Sequence, residues 1–256
     1  MNWTILIGTL SAVGLAVFSL RTGGSGRSLF NMHGVTVVIG GTIVSTLINS
    51  PLSLIWGTFI EAASLFFPPR LPFPEAVVTE MSRLARRAQT EGGLLSLQGQ
   101  SQGFANGWLN RAVNVAIAAG ESDETRRVLE VDVRQLRIRH QENANLMRTM
   151  GTLSPMFGLL GTLLGMIEVL ETISTPTKVG PAMALALSSA FMGISLANLV
   201  CIPLAGAMRL RAMNETLVLE MILEGILDIA AGKPSSLVEM HLSGYAGQRR
   251  SEGSPA

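Results

Sequence analysis

Four long apolar stretches alternate with polar segments along this chain. A transmembrane helix needs about 20 mainly apolar residues. The stretches occupy residues 3–20, 34–59, 152–173 and 181–208. Because no basic residue precedes the first stretch and no small-residue cleavage site follows it, we interpret it as a retained helix and not a signal peptide. The pattern predicts an all-α, polytopic membrane protein with four transmembrane helices.

The polar region between the second and third stretches has the apolar spacing of helices. Pro74 marks the expected start of one helix, and Gly120 the expected end of a second. Ser122 is the expected N-cap of a long third helix, which can continue directly into the third apolar stretch. The region is therefore expected to be a helical insert.

Helical spacing also continues beyond the fourth apolar stretch, until Gly232 and Pro234 end it. The last residues, 235–256, are rich in Ser and Gly and are expected to be mobile at their end. The expected organisation follows from these boundaries: helices one and two in 1–67, the insert in 68–149, helices three and four in 150–208, and a cytoplasmic helix with a mobile tail in 209–256.

Basic residues are unevenly distributed between the polar segments. Residues 69–149 contain eleven arginines, and the tail adds Arg209, Arg211, Lys233, Arg249 and Arg250. The two short links contain only Arg21, Arg27 and Lys178. Since segments rich in Lys and Arg stay inside, the insert and the C-terminal tail are predicted to be cytoplasmic. Four spans then place the N-terminus on the same side. A multi-pass protein of a bacterial inner membrane is the expected setting.

The composition excludes several classes of function. Hydrophobic residues make up 48% of the chain and charged residues 14%, against about a quarter charged in soluble domains. The net charge of +1 provides no basic field for nucleic acid. Cys201 is the single cysteine, so an intrachain disulfide is excluded and a small packing role is expected. No nucleophile–base pair, phosphate loop or metal cluster is evident, so neither an enzyme nor a cofactor is expected.

The third and fourth stretches have faces of small residues. In the third, Pro155, Gly158, Thr162 and Gly165 are three or four residues apart, and Gly161 and Gly165 form a GxxxG pair. Such pairs let another helix approach closely. The fourth stretch has a similar face, made of Ala182, Ala186, Ser189, Gly193 and Ala197. Close packing alone would account for the glycines taken singly.

Two prolines fall near the predicted cytoplasmic ends of these stretches, Pro155 in the third and Pro203 in the fourth. A proline in a membrane helix frees a backbone carbonyl, which must find another partner. Asn198 is one candidate partner. The pair is compatible with two static kinks or with a joint that moves.

The motifs LSPMFGLLGTLLGMIEVL, VGPAMALALSSAFMGISLANLVCIPLAGAMRLR and LEGILDIAAGKPS resemble the MotA/PomA family of flagellar stator subunits. The segment VVIGGTIVSTLINSPL resembles the second helix of that family. The resemblance implies a homopentamer around two MotB-type, single-span, peptidoglycan-binding partners, whose membrane aspartate binds the travelling ion. It also implies that Pro155 and Pro203 couple ion binding to movement of the cytoplasmic part.

The ion-path positions that the resemblance implies are Thr162, Ser189 and Ala190. Sodium needs several oxygen ligands, and sodium-type members of the family resemble each other in having two adjacent threonines where this chain has Ser189 and Ala190. Protons are therefore favoured, and Ser189 keeps sodium open. Glu168 and Glu171 are interpreted as the only carboxylates near a span, and both are expected at its outer rim. Glu168 could instead help attract cations at an outer entrance.

The resemblance weakens at the predicted contact with the flagellar rotor switch protein. Family members have one basic and one acidic residue where this chain has Thr90 and Gln98. Arg86, Arg87 and Glu91 could substitute, or they could form an ordinary solvated helix face. Either the torque surface is rearranged, or the rotor is not a standard flagellum.

Two other functions compete with a proton-driven stator. An ExbB/TolQ-type motor, energising an outer-membrane or gliding system, usually has three spans, so the extra N-terminal span argues against it. A structural four-helix membrane scaffold would explain the small residues but not the two matched prolines.

Overall fold

The computed structural model describes residues 32–66, 71–100 and 103–252, together with the isolated positions 8, 11 and 14. Apart from these three positions, the first predicted span, residues 3–20, lies outside the described residues, as do residues 21–31 of the link that follows it. Within the described part, the secondary structure is entirely helical. The chain divides into two compact units, residues 1–68 with 140–210 and residues 69–139 with 211–256.

The helical elements, in chain order, are α1 (Met32–Val35), π1 (Thr36–Gly40), α2 (Gly41–Asn49), α3 (Leu52–Ser64), α4 (Pro74–Glu91), α5 (Trp108–Ala119), α6 (Ser122–Glu171), α7 (Pro176–Ser195), π2 (Leu196–Cys201), α8 (Ile202–Ala230) and α9 (Ser235–Glu252). Short 3₁₀ turns lie at Leu94–Leu97 and Phe104–Gly107.

Two continuous helices of the described chain are long and apolar enough to cross a membrane. They are α6, with 50 residues, and the run of 55 residues from Pro176 to Ala230. The continuity of α6 confirms that the polar helix beginning at Ser122 continues into the third predicted span. Pro155 is contained within it without ending the helix.

The second predicted span differs from one continuous helix. It is divided into Thr36–Asn49 and Leu52–Ser64. Ser50 is extended (φ −144°, ψ 143°), and Pro51 follows with φ −66° and ψ 147°. Steric crowding by a proline ring disfavours helix at the preceding residue, so the Ser50–Pro51 pair ends the first piece. Pro51 then caps the second, with its carbonyl accepting from the N–H of Leu54 at 3.0 Å.

The helix containing Pro203 is interrupted by a π turn. The segment π2 ends two residues before Pro203. In a regular α-helix the proline ring would clash with the carbonyl four residues earlier, and a π turn changes the local hydrogen-bond register. The suggestion that Asn198 satisfies a freed backbone group stays a prediction.

The second unit has a helical core of its own. Its largest fully buried side chains are Met81, Leu84, Leu97, Leu109, Leu129, Met221, Ile222, Ile226 and Leu242. Gly92, Gly120 and Gly232 end α4, α5 and α8 with φ of +97°, +69° and +72°. Because glycine adopts positive φ without strain, these ends follow from the sequence, and those at Gly120 and Gly232 confirm the predicted stops.

The tail contains a helix that the sequence analysis did not predict, since Ser235–Glu252 forms α9. Val238 and Leu242, one helical turn apart, are fully buried. Both oxygens of the buried Asp228 carboxylate are engaged, by Lys233 Nζ at 2.7 Å and by His241 Nδ1 at 2.6 Å. These two apolar contacts and the hydrogen bond from His241 to Asp228 hold α9 in place, although its remaining residues are rich in Ser and Gly.

Candidate functional site

The third and fourth predicted spans meet backbone to backbone at their glycines. A Cβ placed on Gly193 would lie 2.6 Å from the carbonyl oxygen of Ser154 and 3.0 Å from the Cα of Gly158. A Cβ on Gly158 would lie 3.0 Å from the carbonyl oxygen of Ser189. Since real Cβ atoms do not approach backbone this closely, only glycine allows the observed separation of α6 and α7.

The same contact continues along α6 at the GxxxG pair. A Cβ on Gly161 would lie 2.6 Å from the Cβ of Ser189, and one on Gly165 would lie 2.7 Å from the Cβ of Ala186. The structure therefore brings together the two small-residue faces identified in the sequence. Their close approach leaves little space for larger side chains along this seam.

The three predicted ion-path residues lie along or beside this seam. Ser189 is fully buried, and its hydroxyl donates to the carbonyl of Leu185 at 3.1 Å. Thr162 is half-buried and donates to the carbonyl of Leu159 at 2.6 Å. Both hydroxyl protons are used within their own helices, so each oxygen keeps lone pairs that can accept from a proton donor or bind a cation. Ala190 presents only a methyl group, next to Gly158.

Helices α1 and α2 also contact this region, which the sequence analysis missed. A Cβ on Gly34 would lie 3.1 Å from Ser189 Oγ, and a Cβ on Gly41 would overlap the ring of Phe157. Ser154, another missed residue, is fully buried and donates to the carbonyl of Gly193 at 3.2 Å. The Gly40–Gly41 pair within an apolar run was the available signal, because glycine in a membrane helix marks close approach.

The two predicted coupling prolines fall within two helical turns of each other. A Cβ on Gly151 of α6 would lie 3.1 Å from the Cβ of Cys201. Pro155 lies four residues after Gly151 on α6, and Pro203 lies two residues after Cys201 on the neighbouring antiparallel helix. Because the two helices run in opposite directions, these offsets add to six residues. Six residues correspond to about 9 Å along the axis. Cys201 itself is buried, as the packing role expected for it requires.

The predicted rotor-contact residues differ in how much charge they present. Arg87 pairs with Glu91 at 2.6 Å and donates to Gln100 Oε1 at 2.7 Å. On the same helix, the hydrogen bond to Glu80 raises the pKa of the Arg83 guanidinium. Thr90 donates to backbone carbonyls of its own helix, and Gln98 is exposed. Two of the three candidate substitutes, Arg87 and Glu91, are paired with each other. The third, Arg86, is exposed and belongs to none of the ion pairs found among the described residues.

The carboxylates near the predicted spans include one that the sequence analysis overlooked. Glu168 and Glu171 are exposed, and Glu61 on α3 is a third, so the earlier restriction to two was wrong. Glu61 belongs to a buried polar group, here called the Glu61 cluster, formed by Thr58, Glu61, His140 and Asn143. A charged residue in a long apolar segment was its signal.

These features define a class before any comparison is made: a polytopic helical membrane protein whose helices pack through small residues and leave large apolar faces exposed. The sequence profile of the MotA/TolQ/ExbB proton channel family matches residues 100–221. "Chemotaxis protein PomA" of Vibrio alginolyticus is 26% identical over 245 residues, covering 96% of this chain and 95% of the relative. "Motility protein A" of Treponema pallidum is also 26% identical, with coverage of 96% and 94%.

Two solved structures have the same fold. The flagellar MotAB stator complex from Bacillus subtilis contains a chain with a TM-score of 0.85 and 25% identity, covering 97% of this chain and 98% of that one. C. jejuni MotAB gives a TM-score of 0.86 at 20% identity, with 96% of both chains covered. The match over residues 100–221 and relatives of the MotA/PomA type along most of the chain agree with each other, so the chain is similar to that group of proteins. The matched family is described as a proton channel family.

Proposed function

We propose that this chain is an ion-conducting stator subunit of a bacterial flagellar motor. It acts in the inner membrane with a MotB-type partner and couples ion flow to torque on the rotor switch protein. The observation that supports the proposal is the position of the Ser189 side chain. Its hydroxyl is buried where α1, α6 and α7 meet, with Gly34 and Gly161 against it. The hydroxyl proton is bonded within its own helix, so the oxygen keeps lone pairs at this junction that can accept from a proton donor or bind a cation.

A ring of subunits agrees with the apolar surface of the single chain. On α6, Leu159, Leu163 and Leu170 are exposed, and on α7 the same holds for Leu187, Phe191 and Ile194. Exposed patches of this kind need lipid or protein contacts. The proposal assigns them to lipid, to neighbouring copies in a homopentamer, and to two central MotB-type helices.

We propose protons as the driving ion. Ala190 offers no oxygen next to Ser189, which leaves fewer ligands than a dehydrated sodium ion needs. Swimming that depends on this chain should persist when sodium is replaced by potassium, and should stop when a protonophore is added. The measurement is swimming speed in a deletion strain complemented with the chain and its partner. Strict sodium dependence would reassign the ion, and unchanged swimming after deletion would remove the stator function itself.

The proposed topology places the insert and both termini in the cytoplasm. A reporter that is active only in the cytoplasm should therefore be active when fused after Ser122 and inactive when fused at Thr177. Alkaline phosphatase, which is active outside, should give the opposite pattern at the same two positions. The reverse result would contradict the arrangement with four spans.

The rotor contact is proposed to depend on Arg86. Arg87 and Glu91 form an ion pair and so present a nearly neutral surface to a partner. An exposed ion pair of this kind also adds little to the stability of the fold. Arg86 is thus the candidate charge left on this face of α4.

A further inference from the structure

The two pieces of the second predicted span are held by different parts of the chain. The first piece, α1 to α2, lies against the glycine seam, through Gly34 at Ser189 and Gly41 at Phe157. The second piece, α3, contacts α6 on the other side of Pro155, where Thr58 meets Asn143. The Ser50–Pro51 break separates these two attachments.

The break lies close to the level of the other helix irregularities. Since Gly41 meets Phe157 and Thr58 meets Asn143, α6 runs antiparallel to α2 and α3. The break falls about halfway between these contacts, so it lies opposite about residue 150 of α6. Pro155 is then about 8 Å away along the axis at 1.5 Å per residue.

The segment π2 lies at this level too. A Cβ on Gly151 would lie 3.1 Å from the Cβ of Cys201, the last residue of π2. Two neighbouring helical segments are therefore interrupted within a narrow layer, by Ser50–Pro51 and by π2 with Pro203, and the continuous helix α6 contains Pro155 close to the same layer. Each irregularity lowers the cost of bending its helix there.

On one side of this layer, the Glu61 cluster joins α3 to α6. His140 Nδ1 donates to Glu61 Oε1 at 2.7 Å, and Asn143 Nδ2 donates to Glu61 Oε2. The hydroxyl of Thr58 donates to Asn143 Oδ1 at 3.2 Å. Side-chain exposure is only 12% for Glu61 and 16% for His140. Hydrogen bonds to a shielded carboxylate are roughly twice as strong as neutral ones, so separating the helices here is costly.

Apolar contacts next to the cluster reinforce the junction. Ala62 of α3 and Leu65, the residue that follows this helix, are buried in the same core as Ala144 and Met147 of α6. The polar and apolar contacts together make α3 and the adjoining turns of α6 one packed body.

We propose that Glu61 is a positioning residue of the motor. Through His140 and Asn143 it makes α3 move with the part of α6 that precedes Pro155, while α1 and α2 stay with the glycine seam. The Ser50–Pro51 break is then a third bending point, beside those at Pro155 and at π2 with Pro203. The inference rests on the proposed stator function, because it assigns a role in transmitting movement.

An exchange of charge within the cluster tests the proposal. Asn143→Asp places a carboxylate against Glu61, where two negative charges repel and the amide donor is lost. We expect rotation to slow by about fivefold or more, the factor for one lost interaction of about 1 kcal/mol. Adding Glu61→Gln should restore rotation, because the amide introduced at position 61 can donate to the carboxylate introduced at position 143.

The readouts must separate coupling from folding. Membrane abundance, recovery of the partner in pull-down and rotation speed of tethered cells are measured together. Glu142→Gln is the matched control, since Glu142 is an exposed carboxylate next to Asn143 in sequence, and it should rotate normally. Normal rotation of Asn143→Asp, or no restoration in the double variant at normal abundance, would overturn the proposal.

A second variant tests the role of Glu61 if the Asn143→Asp protein does not accumulate in the membrane. Pro51→Ala leaves the Glu61 cluster intact and lets helix continue through an exposed position. Reduced rotation at normal abundance is expected, and normal rotation would overturn the third bending point and with it the role of Glu61. If swimming does not depend on the chain at all, it is the stator function that fails.

Discussion

Gly193→Ala is expected to prevent assembly of the complex. The added methyl carbon would lie 2.6 Å from the carbonyl oxygen of Ser154 and 3.0 Å from the Cα of Gly158. Both are backbone atoms that cannot rotate away, so α6 and α7 would have to separate by roughly 1 Å to restore ordinary contact distances. Overpacking of this kind costs about 1–3 kcal/mol or more. Native mass spectrometry should show loss of the proposed five-to-two complex.

Gly206→Ala is the matched control for this substitution. It introduces the same methyl group in the same continuous helical run, at a position with nothing within 4 Å of the new carbon. Its complex should remain intact. Equal amounts of complex from both variants would show that the close approach of α6 and α7 is not required for assembly.

Pro155→Ala and Pro203→Ala are expected to abolish rotation while leaving the complex assembled. Each substitution restores a backbone N–H to a helix interior, where proline costs about 3 kcal/mol relative to alanine. The helices should become more regular and more stable, and the bending that transmits movement should be lost. Complex recovery and rotation speed are measured in the same cells.

Pro181→Ala provides the comparison for these two variants. Pro181 also lies within a helix, near the start of α7 and away from the layer of interruptions, and it is exposed. Its replacement should leave rotation unchanged. If Pro155→Ala and Pro203→Ala rotate normally, the prolines are packing features, and if they fail to assemble, their role is structural.

Much of the helical layout was predictable because single residues determine where helices begin and end. Pro74 begins α4, and Gly120 and Gly232 take up the positive φ that ends α5 and α8. The division of the second span was also written in the sequence, since Ser50 precedes Pro51. The break was missed because the stretch is apolar on both sides of it. Hydropathy indicates which residues can lie in a membrane, but it does not show where a helix is broken.

The parts that could not be predicted depend on contacts distant in sequence. Small residues predicted that Gly158 and Gly193 pack closely, but not that Gly34 approaches Ser189. The Glu61 cluster requires residues about eighty positions apart to meet, and local periodicity contains no such information. The helix α9 was missed because it is held by Val238 and Leu242, which pack into a core formed by other helices of the second unit.

The π2 segment makes the length of the chain, and not only its composition, part of the design. A π turn corresponds to one residue more than a regular α-helix would use. Deleting one residue from π2 would therefore restore a regular α-helix and leave the parts on either side in nearly the same orientation. The same deletion in a regular part of the helix would rotate everything after it by about 100°, since a helix has 3.6 residues per turn. Gly193, before the turn, and Met208, after it, both pack inward. The π2 segment is therefore the place in this helix where a change in the number of residues is easiest to accommodate.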